Sequence, residues 1–186
     1  PLVRYGLTEG TELRLAAPSI QMLWPEGGPD ETELGNLDLG FRFIYPMVDL
    51  GTVGFQPFVS FPLRGQDYDS SGVDAGVKLL WAISLCDWME VAGNLGLIFT
   101  GLGSDGVQDH AYLASLVLGF SLAENWGAFV EGYGLIPDLA PESAAAGINL
   151  GAVWRVAPSW QLDAFVGSDL NASESVSFGA GAAYLW

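Results

Sequence analysis

Apolar and polar residues alternate along most of this chain. In "NLDLGFRFIY" (36–45), Leu37, Leu39, Phe41, Phe43 and Tyr45 fall on one parity and Asn36, Asp38, Gly40 and Arg42 on the other. "DAGVKLLWAIS" (74–84) sets Val77, Leu79, Trp81 and Ile83 against Asp74, Gly76, Lys78, Ala82 and Ser84, with Leu80 as an exception. "GINLGAVWRV" (147–156) sets Ile148, Leu150, Ala152, Trp154 and Val156 against Asn149, Gly151 and Arg155. Successive side chains of a strand point to opposite faces, so this period marks strands with one continuous apolar face. Helical periodicity is weak nearly everywhere.

The alternation predicts about eleven strands, near 2–7, 11–24, 35–45, 53–63, 73–84, 88–100, 111–122, 126–136, 146–156, 160–170 and 175–186. All but the first approach the length a tilted strand needs to cross a bilayer. Pro18, Pro57 and Pro62 cannot donate to a ladder and are expected at bulges or strand ends. The connections alternate in length. "TEGT", "LCDW", "AENW" and "APSW" are tight, and "PMVDLGT" is moderate. Between them come longer acidic segments: "PEGGPDETE", "GQDYD", "GSDGVQD" and "PDLAPES", with "NASES" near the end. Short turns on one rim and long loops on the other is the pattern of an outer-membrane barrel. Trp88, Trp126 and Trp160 follow the tight turns, where an interfacial aromatic girdle belongs.

Composition narrows the choice. The chain has 186 residues, half of them hydrophobic and 15% charged, which suits one domain over residues 1–186. No apolar run is long enough for a membrane-spanning helix. The net charge of −16 argues against nucleic acid, which demands clustered Lys and Arg. The lone Cys86 excludes an intrachain disulfide.

The two faces then decide the solvent. Arg4, Arg14, Arg42, Lys78 and Arg155 lie on the non-apolar parity, with Arg64 closing a strand on it. Glu12, Asp38, Asp74, Glu90, Glu131 and Asp163 lie there too. If that face were outside, the interior would hold Trp81, Trp154, Phe41, Phe43, Tyr45 and Phe61 together, too much volume for a small barrel. Turned the other way, glycines and charges fill the lumen and the apolar face meets lipid. The expected fold is all-β: an antiparallel transmembrane β-barrel in the bacterial outer membrane, with the bilayer and its lipopolysaccharide as partners. About eleven strands are present. A barrel of even strand number with both termini at the tight-turn rim would have about twelve, so an N-terminal strand is expected to be missing.

The chain closes on "FGAGAAYLW". Gly181, Tyr184 and Trp186 resemble the C-terminal signal by which outer-membrane proteins are recognised for insertion, which implies the assembly machinery as a partner. "LVRYGLTEGTELRLAA" (2–17), "LGNLDLGFRFIY" (34–45), "VDAGVKLLWAIS" (73–84), "GNLGLIF" (93–99), "LGFSLAENWGAFVEGYG" (118–134) and "LGAVWRVAPSWQLDAFVG" (150–167) resemble, in order, the outer-membrane family labelled as the meta-pathway of phenol degradation, often called a transporter. The resemblance spans essentially the whole chain. It implies a β-barrel whose genes often lie near those of aromatic-compound catabolism. Gly10 and Thr11 stand where the family pattern has a bulkier pair, and Cys86 in "LCDW" is unusual for it.

Three sets of candidate residues follow. Arg4, Arg14, Arg42, Lys78 and Arg155, against Asp38, Asp74, Glu90, Glu131 and Asp163, are expected to form a ladder of ion pairs on the inner wall, since unpaired buried charge is costly. Phe58, Phe129, Tyr133 and Phe165 share that parity and form a candidate solute path, or a plug. Trp88, Trp126, Trp160, Tyr184 and Trp186 are the interface aromatics. No cofactor or metal site is expected: the acidic loops lack the spacing of a dedicated calcium loop. His110, the single histidine, lies five residues from Ser115 on the opposite parity, with no evident Ser–His–acid spacing, so no enzyme is expected. The functional expectation is a narrow channel for small, aromatic or hydrophobic solutes. The alternatives are a structural or adhesive barrel with a closed lumen, and a lipid-modifying membrane enzyme.

Overall fold

A computed structural model of the chain describes residues 2–16, 20–23, 31–34, 36–47, 51–61, 72–102, 109–141, 144–171 and 176–184. It contains β1 (Leu2–Thr8), β2 (Thr11–Ala16), β3 (Ile20–Leu23), β4 (Glu31–Leu34), β5 (Leu37–Met47), β6 (Gly51–Phe61), β7 (Val73–Cys86), β8 (Met89–Leu102), β9 (Asp109–Ala123), β10 (Trp126–Pro137), β11 (Ala145–Ala157), β12 (Trp160–Asp169) and β13 (Val176–Tyr184). Eleven of these form one sheet in chain order, β1-β2-β5-β6-β7-β8-β9-β10-β11-β12-β13, and every neighbouring pair is antiparallel. No described pairing joins β1 to β13, so the sheet is open there, as expected for segments 2–7 and 175–186.

The expected strand 11–24 is corrected. It divides into β2 and β3, and β3 leaves the main sheet to pair with β4 as a two-stranded hairpin. Pro18, between β2 and β3 in the sequence, has no N–H to continue a ladder and, like Pro62, lies outside the described residues. Pro57 is tolerated inside β6. The β5–β6 ladder lapses there, between Gly40↔Phe58 and Phe43↔Phe55, while Pro57 still faces Val77 on β7.

The register sorts the side chains as the alternation predicts. Leu13, Phe41, Phe43, Phe55, Leu79, Leu95, Tyr112, Leu116, Leu150, Trp154 and Phe178 share one face, strand after strand. The other face holds Arg42, Lys78, Glu90, Glu131 and Arg155. Among the described residues nothing packs on the apolar face. Ala111, 6% exposed, is the only buried hydrophobic residue among those described, whereas Phe178 is 74% exposed. The accessible area is 12635 Å², well above the roughly 8,600 Å² of a compact soluble monomer of this mass.

The polar face is concave. One cavity is lined by Leu2 on β1 and by Asn94 on β8, five ladder steps away. At about 4.8 Å per strand a flat sheet would hold them roughly 24 Å apart, so the sheet curls around its polar side. Glu9–Gly10, Asp87–Trp88, Glu124–Asn125 and Pro158–Ser159 make tight turns at one rim. The strand ends that the longer segments join lie at the other.

Candidate functional site: the concave polar wall

Aromatic rings on the concave face alternate with glycines on the neighbouring strands. Phe58 pairs with Gly40 and Gly76, Phe129 with Gly119 and Gly151, Tyr133 with Ser115 and Gly147, and Phe165 with Gly151 and Gly179. Each ring lies over a glycine of the strand that follows. A Cβ built on Gly76 would fall 2.7 Å from Phe58 Cζ, and one on Gly147 would fall 2.8 Å from Tyr133 Cε1. A Cβ on Gly151 or Gly179 would overlap Phe129 or Phe165. The rings are therefore folded down against the wall instead of standing across it. Missing side chains make this seat, and it shields glycine backbone that would otherwise be bare.

The charges depart from the expected ladder. One cluster replaces it, and its hub is Glu12. Arg4 donates to Glu12 Oε2 through Nη2 at 2.7 Å and Nε at 3.0 Å. Arg14 Nε and Arg42 Nη1 each lie 3.6 Å from Glu12 Oε1. Arg14 also donates to Gln56 Oε1 at 2.6 Å. Lys78 has no ion pair among the described residues, and its Nζ sits 5.0 Å from the Phe58 ring centroid. Arg155 likewise has none among the described residues. The expected carboxylates bind neutral donors instead. Asp38 accepts from Ser60 Oγ at 2.6 Å, Asp74 from the Gly101 N–H at 3.0 Å, and Glu131 from Asn149 Nδ2 at 3.0 Å. Asp163 lies over Gly181, and Glu90 faces Ser84 and Gly119. The reason is position. Of the four cations on β1, β2, β5 and β7, none has a neighbouring strand in common with Glu131 on β10 or Asp163 on β12, and Glu90, on β8 beside β7, pairs with Ser84, six positions along from Lys78.

Further polar contacts continue around the wall. Asn94 donates to Ser115 Oγ at 2.6 Å, and Tyr133 O–H to Asp169 Oδ1 at 2.8 Å. On the outer face near the tight-turn rim, Trp126 stacks on Trp154 with centroids 5.2 Å apart, Trp160 meets Tyr184 at 4.9 Å, and Trp88 meets Phe120 at 6.2 Å. Trp154 and Phe120 thus join the sequence-predicted girdle. Trp186, like Arg64, lies outside the described residues.

His110 pairs with Phe99 on the apolar face, whereas Ser115 lies on the polar face, so the two do not meet. At the long-loop rim, Asp109, His110 and Asp138 bring ligand atoms within 4.8 Å of one another, a grouping wide enough for a divalent cation. Asp109 Oδ1 also accepts from the His110 N–H at 2.7 Å and the Leu139 N–H at 3.2 Å, which ties the end of β10 to the start of β9. The sequence hid this trio because Asp138 follows the next strand.

The family described as "Putative MetA-pathway of phenol degradation" matches residues 2–186. The chain belongs to this family. The match takes in every strand of this phenol-degradation family member, from β1 to β13. No curated protein matches the chain.

Proposed function

We propose that this chain is an outer-membrane barrel that passes small solutes through a lumen formed by its concave polar face, with the apolar face against lipid. The observation that carries the reading is the seating of the rings. Phe58, Phe129, Tyr133 and Phe165 lie on glycines of adjacent strands, and rings folded down leave room along the axis. The outward apolar band, with no core behind it, supports lipid as its solvent. The aromatic pairs at the tight-turn rim suit a membrane interface. The family's description names phenol degradation, which supports small aromatic solutes. A rim-to-rim path lined by aromatic faces and amide or hydroxyl groups such as Gln56, Asn94 and Ser115 suits such molecules, since it offers both stacking and hydrogen bonds.

The test is flux. Protein refolded into liposomes should speed the entry of small aromatic and sugar-sized solutes relative to empty liposomes. Protein shown by protease protection to be inserted, yet passing no solute, would defeat the reading in favour of a closed structural barrel.

A further inference from the structure

Charge is unevenly spread around the concave wall. Arg4, Arg14, Arg42 and Lys78 share β1, β2, β5 and β7 with three carboxylates, Glu12, Asp38 and Asp74. From β8 to β12 the same face carries Arg155 against Glu90, Glu131, Asp163 and two rim aspartates, Asp109 and Asp169. In a protein of net charge −16, the first stretch is where cations outnumber carboxylates. An anion inside the curl is pushed from one wall toward the other.

That stretch also contains a cavity of about 300 Å³. Its polar lining is Arg14, Asp38, Gln56, Lys78 and Asn94; its apolar lining includes Phe58 and Leu80. The cations there are only partly answered. Lys78 sits over an aromatic face, and Asp38 acts on its charge without forming an ion pair among the described residues. Arg14 and Arg42 share one carboxylate with Arg4, and their Nε atoms are shielded from solvent with no hydrogen-bond partner. A guanidinium and an ammonium beside an aromatic ring match a ligand with a carboxylate head and a flat apolar body.

We propose that this cavity is a cradle for small aromatic carboxylates, with the head held by Lys78 and Arg14 and the ring against Phe58 and Leu80. The proposal rests on the channel reading and deepens it by assigning a solute class. It also assigns Asp38 a counter-role: its carboxylate lines the same cavity and repels the head, so binding stays weak enough for release, as conduction requires.

The experiment is a fluorine NMR titration of the full chain in detergent micelles with para-fluorobenzoate, para-fluorophenol and para-fluorobenzylamine, which share a body and differ in the head. Para-fluorobenzoate should bind tightest. Lys78→Met should weaken it by about tenfold, the scale of one charge-assisted hydrogen bond, and leave the phenol unchanged. Lys78→Arg should restore most of the loss. Asp38→Asn should move affinity the other way, tightening the carboxylate by about threefold. Heat-modified gel mobility checks that each variant is folded, and Lys78→Arg keeps the test alive if Lys78→Met is not. Equal affinity for phenol and benzoate, or benzoate binding indifferent to both Lys78 and Asp38 variants, overturns the cradle. Binding is read in micelles and flux in liposomes. Carboxylate binding without flux therefore sinks only the channel, and flux without carboxylate preference sinks only the cradle.

Discussion

Gly147→Ala tests the seated rings most directly. Gly147 is buried on β11 opposite Tyr133 on β10, and the three atoms nearest a new Cβ all belong to the Tyr133 side chain. The closest clash therefore falls on a side chain and not on backbone. The Cβ would stand 2.8 Å from Tyr133 Cε1 and overlap Cζ and the hydroxyl. Carbon atoms settle near 3.5–4.0 Å, so the ring must move by at least about 1 Å. The wall blocks movement one way, so the ring swings inward. The swing also breaks the 2.8 Å hydrogen bond to Asp169, costing about 1 kcal/mol. Overpacking in a closed core would cost about 1–3 kcal/mol, but this ring has open space to enter. The loss of stability should therefore stay near the hydrogen-bond figure, while the bore narrows.

A twelve-strand ring at about 4.8 Å spacing and roughly 40° tilt has a backbone diameter of about 24 Å. A flat ring takes about 3.5 Å of that, and a raised one roughly twice as much. Single-channel conductance in planar bilayers should fall for Gly147→Ala, and the double variant Gly147→Ala with Tyr133→Ala should recover it. Tyr133→Phe alone should leave conductance close to the unmodified value, which separates the ring's position from the hydroxyl's bond. An unchanged conductance for Gly147→Ala, or a double variant no better than the single, would refute the seating argument.

Glu12→Gln should destabilise the barrel by about 1–3 kcal/mol, less than a fully buried pair because Arg4 is half in solvent; urea unfolding in vesicles measures it, and a loss below a few tenths would deny Glu12 its hub role. The Trp126–Trp154 stack should show a coupling of about 0.5–1.5 kcal/mol in a double-mutant cycle on the same assay. Face assignment is checked by cysteine labelling in liposomes with Cys86 replaced by serine: Asn149→Cys should react with a water-soluble maleimide and Leu150→Cys should not, and the reverse order would invert the barrel.

The parity of each strand was legible because one side chain in every two faces the apolar side of the sheet, and that pattern recurs along Leu37–Tyr45 and Ile148–Val156 without reference to any neighbour. Contacts between strands were not legible to the same depth. Arg42 meets Glu12 across thirty positions and Tyr133 covers Gly147 across fourteen, and such partners depend on register, which local pattern leaves free. The ion-pair ladder failed for that reason: the parity was right for Asp38 and Glu131, but register placed Ser60 and Asn149 beside them. Pro18 signalled a strand end, yet nothing near it announced that β3 would turn away to pair with β4.

The open seam has a consequence in direction. β1 enters the Glu9–Gly10 turn, and β13 runs down beside β12, which rises from the Pro158–Ser159 turn. Both edges of the sheet therefore travel from the long-loop rim toward the tight-turn rim. Brought together, they would meet head beside head, in a parallel pairing foreign to every other ladder here. A second copy in the same membrane orientation presents the same arrow at both its edges and cannot help. A copy offering the opposite arrow would have to be turned over relative to the first. Closure with antiparallel pairs alone takes an odd number of strands between β13 and β1, the simplest being one that climbs against both neighbours. Within a membrane, outer amides of β1 and β13 left unpaired would cost several kcal/mol per group.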